Sequence, residues 1–345
     1  MSAVGMAKSN DICRTLLKMA SVTQPNMTGK PEIFAGCFSP VIVRYVRIAL
    51  VDKIDYLLIG HITRDVTPEG DLVGGTVSYA GRVGHALGCK TAVLTSCQAD
   101  YEGLQELTDL AVEVIPSVHT TAFENIYTEN GRSQTIHAVA APINVTHLPA
   151  KWANPAVVHL GPLANEVDPA IIYQFPHSII GLTPQGWMRR WTENGTVYAR
   201  EWPEAEQYLP LADVVILSEE DLLDDGMLPR YREAAKLLIL TENVRGCTVF
   251  AGDTVRHIAA PNVPEVEPTG AGDIFAAAFL TRYWQNGRNP WQAAEFANIV
   301  AAHSVTQGGL DAKIRFIQKT IQEKITQLPN LGKPEPKRFF KDYAD

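Results

Sequence analysis

Cysteine is scarce in this chain of 345 residues: Cys13, Cys37, Cys89, Cys97 and Cys247 are odd in number, widely spaced and never placed as Cys-x-x-Cys. That scarcity excludes a disulfide framework and a structural zinc site, and it fits a reducing cytoplasm. The 9 histidines include no His-x-x-x-His pair, so a zinc hydrolase has no support either. Positive charge is in deficit. Against 38 Asp+Glu stand 30 Lys+Arg, a formal net charge of −8, and a protein that coats nucleic acid would carry the opposite balance. No Gly-x-x-x-x-Gly-Lys-Ser/Thr run occurs, which excludes a P-loop NTPase. Long apolar runs are missing as well: residues 33–50 are broken by Pro40, Arg44 and Arg47 and make a poor membrane span, so no membrane partner is expected.

What is present is an ordinary globular composition, 46% hydrophobic and 20% charged, long enough to bury a sizeable core without staples. Residues 1–50 show no regular patterning and read as a poorly structured extension. From Val51 short continuous apolar runs recur, at Tyr56–Gly60, Thr91–Thr95, Ala111–Pro116, Ala156–Leu160, Ser178–Leu182, Asp213–Leu217 and Leu237–Thr241. Such runs separated by helical segments predict an α/β fold, a doubly wound, mainly parallel sheet with flanking helices. Two Asn-Gly pairs, Asn130-Gly131 and Asn194-Gly195, sit between alternating arms and predict hairpins, because Asn-Gly supplies the two positive-φ residues of a tight turn. The first hairpin would form a small β appendage. The tail at 329–345 is Pro-rich and charged, hence loosely held.

The chemistry concentrates in Val263–Leu280, VPEVEPTGAGDIFAAAFL. Pro268 and Gly270-Ala271-Gly272 mark a loop, and Asp273 opens a helix of small apolar residues. Glycines admit a ligand to the backbone, and the first amides of a helix point at it unsatisfied, so the segment is an anion hole. A carboxylate beside such a hole repels resting phosphate. It makes sense if Asp273 takes the proton of a hydroxyl that attacks phosphorus while the amides hold the growing charge. The plainer reading is an N-cap, a position Asp favours. A dinucleotide fingerprint fails, since Phe275 stands where its third glycine should be.

PTGAGDIFAAAF resembles the C-terminal signature of ribokinase-like (pfkB-type) carbohydrate kinases, and the resemblance runs in order over roughly residues 56–318. It implies a domain over 51–328 with a β-sheet lid drawn from about 62–75 and 119–140. It also implies transfer of the ATP γ-phosphoryl group, with Mg²⁺, to a hydroxyl of a small sugar or polyol. Asp273 is then the catalytic base and Gly270, Ala271 and Gly272 the anion hole. Asp65 corresponds to the family's substrate-binding carboxylate and Gly74-Gly75 to its hinge; Tyr79 replaces an Asn common in the family, which leans toward an inositol-like cyclitol over a ribose-like acceptor.

The family's Asn-x-x-Glu element, which orders Mg²⁺ through water, falls on Ser218 and Asp221, residues that would equally cap a helix. Its nucleotide element falls on Thr241, Asn243 and Gly246, with Asn243 in place of a glycine. Asn298 and Gly308 lie where the adenine is bordered, with plain packing as the other reading of Asn298. Glu267 and Thr269 match the lining of a monovalent-cation site that some members fill with potassium. Trp187, Arg189, Arg190, Trp191, Arg200 and Trp202 form a basic aromatic cluster that reads as cross-strand packing rather than base stacking. The reading is a kinase with a small-molecule acceptor, no nucleic-acid partner and a homodimer through the lid. Its rivals are a nucleoside or cyclitol kinase and a non-catalytic ligand sensor.

Overall fold

The computed structural model describes residues 53–128 and 131–327. The extension at 1–50, the tail at 329–345 and the turn residue Asn130 lie outside the described residues. Every residue of strand β1, Tyr56–Ile59, is fully buried, with Tyr56 and Leu58 in one core and Leu57 and Ile59 in the other. A strand apolar on both sides belongs in the middle of a sheet covered on both faces. That is where it lies. A short lobe follows, β2 (Thr63–Val66) and β3 (Leu72–Gly74), then helix α1 (Thr76–Ala86). The chain returns to the main sheet as β4 (Thr91–Cys97) and β5 (Ala111–Pro116), and leaves it again as β6 (Thr121–Thr128) and β7 (Gly131–Ala138).

The second half adds β8 (Val157–Leu160), β9 (Ile179–Leu182), the hairpin β10 (Arg189–Trp191) and β11 (Val197–Ala199), and the single-turn helix α2 (Ala205–Tyr208). Then come β12 (Val214–Ser218), α3 (Met227–Ala234), β13 (Leu237–Thr241), β14 (Gly246–Ala251) and β15 (Thr254–Ala259). Three helices close the described chain: α4 (Ala271–Gln285), α5 (Pro290–Ser304) and α6 (Leu310–Gln327). The large sheet runs β15-β14-β13-β12-β9-β8-β1-β4-β5, parallel except for the antiparallel β13–β14 and β14–β15 pairs at one edge. Its order reverses between β1 and β8, the switch point at which open α/β sheets bind ligands beyond their carboxyl ends. Helices α1, α4, α5 and α6 bury one face; α4 packs so tightly that a Cβ on Gly181 of β9 would lie 2.5 Å from Leu280.

Strands β3-β2-β6-β7 form a separate four-stranded sheet. The β10–β11 hairpin docks on its β7 edge, where the Ile136 amide donates to Gly195 O at 2.8 Å. This second hairpin corrects one expectation. Of the Asn194-Gly195 pair only Gly195 takes a positive φ, 85°. Trp191 pairs with Val197, leaving five residues in the loop, and Asn194 Oδ1 accepts from the hydroxyls of Thr192 and Thr196 instead of the pair forming a two-residue turn. No helix among the described residues is long and apolar enough to cross a membrane.

Candidate active site

A cavity of about 1200 Å³ lies where β9, β12 and β13 end and the four-stranded sheet faces them. Asp65, Gly75, Tyr79, Arg189 and Asp273 line one part; Ser218, Asp221, Thr241, Asn243, Gly246 and Asn298 line another. Strand β2 carries Asp65, whose Oδ1 accepts from the Thr63 hydroxyl at 3.1 Å. Its carboxylate lies against Gly74, where a Cβ would sit 2.4 Å from Oδ2. Gly75 is the N-cap of α1 with φ 91°, and the next residue, Thr76, is buried and hydrogen-bonds Asp273.

The loop before α4 makes its turn at Gly270, φ 79°, ψ 0°, a left-handed conformation that costs a Cβ-bearing residue free energy. Space excludes a side chain as well: a Cβ there would lie 2.3 Å from the ring of Tyr79, which therefore underlies the turn. The Gly270–Gly272 run needs one correction. The Ala271 amide already donates to Pro268 O at 3.0 Å, so it is not free to meet an anion as the sequence led one to expect, and the amides of Gly270 and Gly272 lie on either side of it. Asp273 follows in the first turn, ahead of the first intrahelical bond, Ile274 N to Gly270 O at 2.9 Å.

Burial pushes the Asp273 carboxyl up from 3.8 to about 6, with Asp65 adding to the rise; the Thr76 hydrogen bond and the Arg189 guanidinium act against it. A carboxylate poised there is ionised at neutral pH yet basic enough to receive a proton. Arg189 was read from the sequence as packing. The stacked pair Trp187–Trp202, with ring centroids 4.4 Å apart, does pack as expected, but β10 turns Arg189 into the cavity, where its charge acts on Asp273.

Ser218 and Asp221 form a capping box: Glu220 N donates to Ser218 Oγ at 3.2 Å and Ser218 N to Asp221 Oδ2 at 3.0 Å. Asp221 Oδ1 also accepts from Gln185 Nε2 at 2.9 Å. Both residues still face the cavity, as does Glu220. Among the described residues no three His, Cys, Asp or Glu side chains converge on one point. A sparse set of oxygen donors suits Mg²⁺, which keeps several waters and seldom uses an all-protein cage.

Asn243 takes φ 52°, the left-handed geometry of the glycine it replaces, and Thr241 Oγ1 donates to Leu217 O at 3.1 Å. Asn298 is buried and its amide donates to Ile258 O at 2.8 Å, tying α5 to β15. Gly308 is not among the cavity-lining residues. Thr269 lines the cavity, whereas Glu267 turns from it: Gly309 N donates to Glu267 Oε2 at 2.7 Å, and the Nζ of Lys313 lies 2.7 Å from the carbonyls of both Glu267 and Thr269.

Residues 192–315 match the model of the pfkB family carbohydrate kinases. A cytidine kinase of Thermococcus kodakarensis is 25% identical over 253 residues, 67% of this chain and 88% of that protein. Fructokinase-1 of Oryza sativa subsp. japonica is 32% identical over 113 residues, 28% of this chain and 35% of that protein, so only about a third of that relative is spanned. A solved pyrophosphate-dependent kinase in the ribokinase family, complexed with a pyrophosphate analog and myo-inositol, shares the fold at TM-score 0.65 and 24% identity, over 75% of this chain and 98% of that one. The family match and the kinase relatives support a phosphotransferase acting on a sugar hydroxyl. Residues 192–315 thus resemble the pfkB-type carbohydrate kinases, and the chain has a ribokinase-like fold.

Proposed function

We propose that residues 51–328 form one catalytic domain that moves the γ-phosphoryl group of ATP to a hydroxyl of a small sugar or polyol. The observation that carries this reading is that Asp65 and Asp273 share one cavity with the Gly270–Gly272 turn. Asp65 and Arg189 hold the acceptor: a carboxylate accepts from two neighbouring hydroxyls, while a guanidinium donates to their oxygens. Asp273 takes the proton as the hydroxyl attacks, and the amides of Gly270 and Gly272 meet the charge growing on the transferring oxygens. ATP lies along the other end, over Thr241, Asn243 and Gly246 and beside Asn298. Ser218, Glu220 and Asp221 would hold Mg²⁺ through water, and that ion would neutralise phosphate charge. The lid sheet excludes water from the reacting groups. A homodimer through the lid would use the free edge of β3, since the hairpin already meets β7.

A nucleoside acceptor is the second reading, favoured by the cytidine kinase that matches two thirds of the chain. Turnover of ATP over a panel of sugars, polyols, a cyclitol and nucleosides tests both. Asp273→Asn is expected to lower kcat by about 10³-fold or more with nucleotide affinity retained. Nucleotide binding without transfer to any acceptor would instead favour a ligand sensor.

A further inference from the structure

Lys313 lies on the apolar stripe of α6, in step with Leu310, Ile314 and Ile317, and its side chain is 0% exposed. A lysine head is almost never buried without a partner, because taking an ammonium out of water costs several kcal/mol. Its surroundings are all acceptors. Nζ donates to Glu267 O and Thr269 O, each at 2.7 Å, and stands 3.5 Å from Glu267 Oε1. Three donors meeting three oxygens is the pattern of a charged ammonium. The Tyr79 ring completes the shell, its centroid 6.0 Å from Nζ.

Two converging main-chain carbonyls and a carboxylate are what a bare monovalent cation would also seek. Glu267 and Thr269 are the positions at which the resemblance put a potassium ion. The donor set does not fit that ion, because Nζ already stands on both carbonyls. We propose that Lys313 is a tethered monovalent cation, holding the anion-hole turn so that phosphoryl transfer needs no potassium.

The link to chemistry is the peptide plane between Thr269 and Gly270. In a planar trans peptide C=O and N–H point in opposite directions. Drawing the Thr269 carbonyl toward α6 therefore turns the Gly270 amide away from Lys313. The same anchor steadies the left-handed turn at Gly270 from below, together with Tyr79. Lys313 is thus a positioning residue. It acts on the geometry of donors whose effect is largest in the transition state.

The catalytic part of this inference rests on the proposed kinase reading, so the test pairs activity with a measurement that needs none. The full chain is assayed and melted in sodium and in potassium chloride at equal ionic strength. For the wild type, kcat and Tm should agree between the two salts. Lys313→Ala, which empties the place of the ammonium, should lose about 10²-fold in kcat with little change in acceptor KM. Potassium or ammonium should restore at least about tenfold of that loss and raise the variant's Tm, since a ligand that binds only the folded state stabilises it. Lys313→Met, which fills the space without charge, should stay low in every salt. A wild type stimulated tenfold by potassium, or a Lys313→Ala enzyme as active as wild type in sodium, would overturn the proposal. If neither variant folds, the wild-type comparison still decides. If no acceptor is phosphorylated, the kinase reading fails, while the potassium-dependent Tm of Lys313→Ala still judges the site.

Discussion

Asp273 holds a charge where burial opposes one, and the cost has a definite pH window. Its pKa in the folded protein, about 6, exceeds the 3.8 of an ordinary aspartate. Between those values the folded state binds the proton more tightly than the unfolded chain does. Stability from this group is therefore present below pH 3.8 and lost as pH rises through about 6. Asp273→Asn, always neutral, should stabilise the apo protein at pH 7 by on the order of 3 kcal/mol, and the gain should vanish by about pH 3.5. Urea melts of both proteins at the two pH values check this; a variant less stable than wild type at pH 7 would mean that the carboxylate is held favourably. Asp273 stood out in the sequence by the ordered resemblance around Gly-Ala-Gly-Asp, since an N-cap alone would explain an Asp at a helix start. Arg189 was not, because five Trp and Arg neighbours supply a sufficient packing explanation, and only the course of β10 separates its side chain from theirs. Lys313 did carry a signal: a lysine at an apolar-stripe position of a helix is paired or misplaced.

At the scale of elements, the continuous apolar runs gave the parallel strands because burial on both faces writes itself into every residue. β15 left no such trace, since five of its six residues are exposed. The hairpin it makes with β14 was nonetheless signalled by Gly252 at the turn, φ 56°. Close approach distinguishes two glycines at element ends. At Gly74 φ is ordinary, and the atoms nearest an added Cβ all belong to the Asp65 carboxylate, the end of a side chain. At Gly246, φ 107°, it would meet the Ile258 carbonyl at 2.2 Å, and no rotamer relieves a backbone clash. Gly74→Ala should leave Tm within a few degrees but raise acceptor KM about tenfold or more, because it displaces Asp65, the carboxylate proposed to hold the acceptor. Gly246→Ala should destabilise by about 2 kcal/mol or more in a denaturant melt. Equal losses of stability in the two variants would contradict the distinction.

Across the whole molecule, the site is assembled from pieces far apart in the chain: Asp65 from the lid sheet, Arg189 from a hairpin, Asp273 from the helix after the last strand of the large sheet. No local pattern fixes such a meeting, which is why the order of elements was legible and the wall of the cavity was not. The hairpin has two duties that couple. Gly195 lets its loop lie on the lid edge, where the Ile136 amide reaches Gly195 O, and the far end of the same hairpin carries Arg189. A Cβ on Gly195 would sit 2.4 Å from Ile136 O, and φ 85° is strained for any branched residue. Gly195→Val should therefore part the hairpin from the lid without touching the nucleotide end. If the lid keeps water from the transferring phosphoryl group, loosening its edge lets hydrolysis compete with transfer. The expected result is unchanged nucleotide affinity by calorimetry, and a ratio of ADP released to acceptor phosphorylated that rises from near one to about two or more. A ratio that stays at one, with activity merely lower, would assign the hairpin to placing Arg189 and leave water exclusion to the four-stranded sheet alone.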